Sequence, residues 1–142
     1  MKKNIIFLVF GLILLQSCTT YQIPVQSFKE QFQNIDSASL KTVQVRMPLG
    51  NVADFLVNPV DSIICIDKNN RKIMLEKTPS IEIRFTEKDG NKTIFYFDGI
   101  YLQNGNVVGN QSRFINAPKS ISLDEVKRIE IQDGRKKFRY VK

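Results

Sequence analysis

The sequence predicts a mainly β fold: an antiparallel small barrel or sandwich of about seven to eight strands, with one short helix at its N-terminal side. Three observations carry this expectation. From Leu40 onward apolar residues alternate with polar ones at a period of two, turn signals punctuate the alternation, and helical spacing occurs in one short stretch before residue 36.

The helical stretch is Ser27-Phe28-Lys29-Glu30, which has capping-box spacing, followed by Phe32 and Ile35, so that three apolar side chains fall at i, i+4 and i+7. Such a stripe predicts a two-turn helix laid on a sheet. The strands follow. Val43, Val45 and Met47 alternate with Thr42, Gln44 and Arg46; Ile81, Ile83 and Phe85 alternate with Glu82 and Arg84; Phe95 and Phe97 flank Tyr96. Asn51 to Leu56 reads as one further helical turn. Asn69-Asn70, Asp89-Gly90, Asn104-Gly105 and Asp133-Gly134 are the hairpin signals, because Asn, Asp and Gly tolerate the positive φ of a tight turn. The last of them makes Arg135 to Lys142 the final strand, with Phe138 and Tyr140 on one face and the basic Lys137 and Arg139 on the other.

Composition suits a folded chain of one domain: 142 residues, 42% hydrophobic, 25% charged, ten Phe and no Trp. No internal repeat is visible. The net charge is +7. The chain contains no His, which removes Ser-His-Asp and Cys-His nucleophile activation, His-containing zinc sites and the commonest general base at neutral pH. No catalytic residue, metal ligand or cofactor is assigned. The acidic residues, Asp67, Asp89, Asp133, Glu82 and Glu130 among them, fall in turns or at outward strand positions, where solvated charge is expected.

The N-terminus is different in kind. Lys2 and Lys3 precede the apolar run Ile5 to Leu15, which polar Gln16-Ser17-Cys18-Thr19-Thr20 then stops; the run is too short to span a bilayer and has the shape of a secretory signal. Leu15-Gln16-Ser17-Cys18 resembles the lipobox of bacterial lipoproteins, with an aliphatic residue at −3, a small one at −1 and the Cys at +1, and departs from it in the large Gln16 at −2. The resemblance covers 18 residues. It implies a signal peptide over 1–17, cleavage before Cys18 and diacylglycerol on the Cys18 thiol. A lipidated Cys and tether would occupy 18–26, with a single β-rich domain over 27–142.

Two or three acyl chains at about 0.8 kcal/mol per buried CH₂ make an effectively permanent anchor. Thr19 is not the Asp that retains many lipoproteins in the inner membrane, so the resemblance implies the outer membrane, facing the periplasm. The mature charge falls to about +5, and an exported domain meets anionic lipid or acidic glycans rather than nucleic acid.

Several residues are singled out by chemistry or pattern. With Cys18 lipidated, Cys65 has no partner within the chain, and its Ile63, Ile64 and Ile66 neighbours predict a buried thiol. Asp36-Ser37-Ala38 and Asp61-Ser62-Ile63 resemble the Asp-Ser/Thr-aliphatic acceptor of Bacteroides-like general O-glycosylation, which marks Ser37 and Ser62. Ile121 to Ile131 resembles the strand, single helical turn and strand that close SH3-like or Sm-like barrels. Lys137 and Arg139 are candidate contacts for an anionic surface. The sequence thus points to a non-enzymatic envelope lipoprotein binding a protein or glycan. The rival is a carboxylate-dependent enzyme acting on peptidoglycan or a glycan, for which two carboxyl groups about 5–9 Å apart in one cleft would speak.

Overall fold

The computed structural model describes residues 19–142. The stretch expected to be a signal peptide, 1–17, and the expected lipidation residue Cys18 lie outside the described residues. The described residues form twelve strands: β1 (Thr20–Ile23), β2 (Lys41–Arg46), β3 (Val52–Val57), β4 (Ser62–Ile66), β5 (Lys72–Glu76), β6 (Ile81–Glu87), β7 (Lys92–Tyr96), β8 (Tyr101–Gln103), β9 (Asn106–Asn110), β10 (Pro118–Ser122), β11 (Val126–Asp133) and β12 (Arg139–Tyr140). Among the described residues there is one α-helix, α1, over Val25–Phe32. The fold is mainly β and antiparallel, as expected, and of the two expected arrangements it is the sandwich-like one, with no closed barrel among the described residues and more strands than the seven to eight expected.

Three sheets share the strands. The large one has the order β5-β4-β1-β11-β6-β7; β10-β9-β8 and β12-β2-β3 form two smaller ones. The main core lies under the large sheet, where Ile23, Ile63, Cys65, Ile83, Phe85, Ile129 and Ile131 meet Phe28 and Phe32 of α1 and Val107 and Ile121 of the β8–β10 sheet. Its aromatic rings touch in sequence. Phe28 stacks on Phe32 at 4.6 Å, Phe28 meets Phe85 edge-on at 5.4 Å, and Phe32 meets Phe97 at 5.8 Å. Gly109 of β9 comes so close that a Cβ there would stand 2.9 Å from both Phe95 and Ile100.

Four expectations are corrected. The stretch read as a tether, 18–26, contains β1, which sits inside the large sheet with Tyr21 opposite Ile131 and Ile23 opposite Ile129; four residues are too few for periodicity to reveal, and the pairing partner lies more than a hundred residues away. The helix starts after Pro24 rather than at Ser27, and no side chain caps it; the Pro24 carbonyl accepts the Phe28 N–H instead. The helical turn expected at Asn51–Leu56 is strand β3, paired with β2 from Lys41–Val57 to Arg46–Val52. Asp133-Gly134 is no hairpin. Gly134 passes over Ser80, its N–H donating to the Ser80 carbonyl at 3.0 Å, and the chain crosses to pair β12 with β2. A Cβ at Gly134 would come within 3.0 Å of that carbonyl.

The other three turns are as expected, with Asn70, Gly90 and the Asn104-Gly105 pair at positive φ. The end of β10, a 3-10 turn at Leu123–Glu125 and β11 give the local strand, helical turn and strand expected over 121–131, but the two strands belong to different sheets and close no barrel. Gln31 of α1 completes the sheet beside β1: its amide donates to the Ile64 carbonyl at 3.0 Å and accepts the Ile64 N–H at 2.8 Å, standing in for a strand where β1 has ended.

Candidate functional site

A cleft of about 690 Å³ opens between the small β12-β2-β3 sheet and the outer strand β5 of the large sheet. Val43, Val57 and Met74 give it apolar walls, and Asp61, Ser62, Glu76, Lys77 and Tyr140 give it polar groups. Alternation along β2 and β3 turns Val43 and Val57 inward, while Ser62 and Glu76 face each other across β4 and β5. Lys77 bridges the two sides. Its ammonium donates to the Asn58 carbonyl at 2.7 Å, and burial lowers its pKa from the ordinary value, partly opposed by the charges of Asp98 and Asp61.

Behind the cleft lies a buried charge network. Arg113 and Asp98 form an ion pair at 2.7 Å, with side chains 4% and 0% exposed. The guanidinium also donates twice to the Pro79 carbonyl and sits 4.3 Å from the Tyr96 ring centroid, 4.9 Å from Phe55 and 5.3 Å from Phe138. Three aromatic faces and two acceptors replace its water. Tyr140 closes the network, its hydroxyl donating to the other Asp98 oxygen at 2.7 Å. Burial first, and the Asp98 charge second, push the Tyr140 pKa far above its ordinary value. Asn58 ties the same turn down, its side-chain amide donating to the carbonyls of Phe97 and Ile100.

The residues singled out by sequence are scattered. Ser37 is exposed in the 3-10 turn Ser37–Ser39, where Asp36 accepts from the Ser39 N–H and hydroxyl, contacts that lower the Asp36 pKa. Ser62 is half-buried at the rim of the cleft. Lys137 and Arg139 are exposed, with Phe138 buried and Tyr140 half-buried, the alternation expected, although the final strand expected over 135–142 shrinks to β12, Arg139–Tyr140. Cys65 is fully buried, and that burial raises its thiol pKa. Three of the acids expected in solvent are instead largely covered and paired: the Asp67 side chain is 10% exposed, accepting from the Arg71 and Asn69 backbone in the β4–β5 turn and pairing with the Arg71 guanidinium, while Glu82 pairs with Lys136 and Glu130 with Arg84. The Arg71 N–H contact lowers the Asp67 pKa foremost.

Asp98, Arg113 and Lys77 were not foreseen. One signal existed: Asp98 interrupts the buried aromatic run Phe95-Tyr96-Phe97, where a solvated carboxylate has no place. Arg113 gave none, since Ser112-Arg113-Phe114 reads as an ordinary loop.

Fold and cleft together define a β-rich, sandwich-like domain with an open cleft between two of its sheets. No protein-family model matches the chain, and no curated protein or solved structure matches it either.

Proposed function

We propose that this chain is an envelope lipoprotein, held by acyl chains on Cys18 at the periplasmic face of the outer membrane, whose domain binds a protein or glycan through the cleft between β2–β3 and β5. The observation that carries the reading is the position of β1. It begins at Thr20, two residues after the lipobox Cys, so that only about 7 Å of extended chain would separate the anchor from the sheet. A domain so closely leashed is a membrane-surface module rather than a reach-out one.

The cleft suits recognition, with apolar walls for contact area and a few polar groups for orientation. Exposed Ser37 and rim-placed Ser62 are the acceptor positions such an exported domain would offer to O-glycosylation. The rival reading, a carboxylate-dependent enzyme, has one observation in its favour: Asp61 and Glu76 line the same cleft.

Labelled palmitate should enter the wild-type protein and not Cys18→Ala, and the mutant, where still exported, should leave the membrane fraction. Label in the mutant would overturn the anchor. Crosslinking in intact cells should capture a partner through the cleft, with capture lost in Lys77→Glu. A glycan- or peptidoglycan-cleaving activity abolished by both Asp61→Asn and Glu76→Gln would replace binding with catalysis.

A further inference from the structure

We infer that one corner of the small sheet is a second membrane contact, which docks the domain on anionic phospholipid and fixes its orientation there. The inference rests on the lipid anchor proposed above and adds to it. Its apolar part is two loop tips. Leu49, in the turn between β2 and β3, is 95% exposed, and Phe114 and Ile115, in the loop between β9 and β10, are 68% and 69% exposed. Both loops flank Phe138: the Phe114 ring lies 6.1 Å from it, and Met47, which precedes Leu49 by two residues, belongs to the same small core.

Its charged part is Arg46, Lys137 and Arg139. Arg46 and Arg139 stand directly opposite each other in the β2–β12 register, both exposed. Like charges so placed cost stability, and among the described residues no acid lies within ion-pair distance of Arg46, Lys137 or Arg139. Lys136, by contrast, is spoken for by Glu82 and the Tyr96 hydroxyl; burial works against its charge, but these partners outweigh it and raise its pKa. Phosphate head groups would supply the missing countercharge, and the exposed Leu and Phe tips would reach the acyl boundary beneath.

The anchor and this corner also lie at the same end of the large sheet. Thr20 is paired with Gln132, Gln132 is paired with Glu82, and Glu82 holds Lys136, next in chain to Lys137. At about 4.8 Å per strand the start of β1 and Glu82 are about 10 Å apart. An anchor leaving β1 therefore brings the basic corner down to the head groups without turning the domain over. The opposite end of the sheet, where β6 ends near Lys88, is about 20 Å away along the strand.

The chain contains no Trp, so single reporters are free of background. L49W, F114W and, at the far end of the sheet, K88W are introduced separately into the lipidated protein, reconstituted in vesicles containing brominated lipid. With phosphatidylglycerol present, L49W and F114W should be quenched at least about threefold more than K88W. Replacing it with phosphatidylcholine, or adding Lys137→Glu with Arg139→Glu, should bring the three to the same level. A lipidated protein that stays on the vesicle with all three reporters quenched alike refutes the corner while leaving the anchor intact. Should the protein carry no lipid, the anchor fails, and the corner is judged on a chain beginning at Thr19, which retains every described strand and both cores. That chain should sediment with phosphatidylglycerol vesicles at low salt and bind at least about tenfold more weakly after the double charge reversal. No sedimentation, or equal sedimentation of both chains, overturns the inference.

Discussion

Beneath the large sheet, Phe28, Phe32, Phe85 and Phe95 pack with branched aliphatic side chains; beneath the small sheet, Val45, Met47, Tyr96 and Phe138 form a second core, and Tyr96, Phe138 and Phe55 surround a guanidinium. The first region is held by apolar area and shape. The second is held by a charge that has given up its water and is balanced by Asp98, the Pro79 carbonyl and three rings. Volume changes should therefore govern the first region and charge changes the second. Because the network borders the cleft proposed to bind a partner, the second is also where changes in stability would reach that site.

The largest effects should come from one loss in each region. Asp98→Ala leaves the Arg113 charge buried without its counterion and should cost about 3–5 kcal/mol in urea unfolding. Adding Arg113→Met should recover a good part of that loss, since a paired deletion leaves no orphan charge. Phe32→Ala should cost a similar 3–5 kcal/mol by opening a cavity, and the Arg113→Met change should leave that cost as it is. Equal rescue of both would erase the distinction between the two regions.

Overpacking comes next. Gly109→Ala should destabilise by about 1–3 kcal/mol, because the Phe95 ring and Ile100 must move to admit a methyl group. Tyr140→Phe removes one hydrogen bond to a charged acceptor and should cost about 1.5 kcal/mol near neutral pH. This variant also sharpens the comparison by its pH dependence. The folded-state pKa of Tyr140 lies above its unfolded value of 10.0, so its contribution is fully present below about pH 10 and declines as the pH rises beyond it. Wild type should lose stability above pH 10 more steeply than Tyr140→Phe, while Lys77, common to both chains, cancels in the difference. Parallel curves would remove Tyr140 from the network. The smallest effect is one of rate: Cys65 should resist thiol reagents in the folded protein and react on denaturation, because the apolar core both excludes the reagent and disfavours the thiolate.

Along the chain, legibility followed segment length and locality. Lys41–Arg46 and Ile81–Glu87 are long enough for alternation to show, and Asn104-Gly105 carries its turn in its own backbone preferences. Asn51–Leu56 was read as a helical turn because its half-exposed strand has apolar side chains on both faces, Val52 and Leu56 outward as well as Phe55 inward. Lys137 and Arg139 are on an outward face, as the alternation predicts, yet β12, which begins at Arg139, joins β2 and not β11, its neighbour in sequence.

By itself the sequence determined the antiparallel β class, the short helix with Phe28 and Phe32 inward, three of the hairpin turns and the buried Cys65, all of which follow from the periodicity and backbone preferences of neighbouring residues. Tertiary structure alone decided that Thr20–Ile23 is a sheet strand, that β12 crosses to the second sheet, and that Asp98, Arg113 and Tyr140 meet in the interior. Each of these joins residues 15 to more than 100 positions apart. Their free energy comes from desolvation and pairing between segments, which no local pattern encodes.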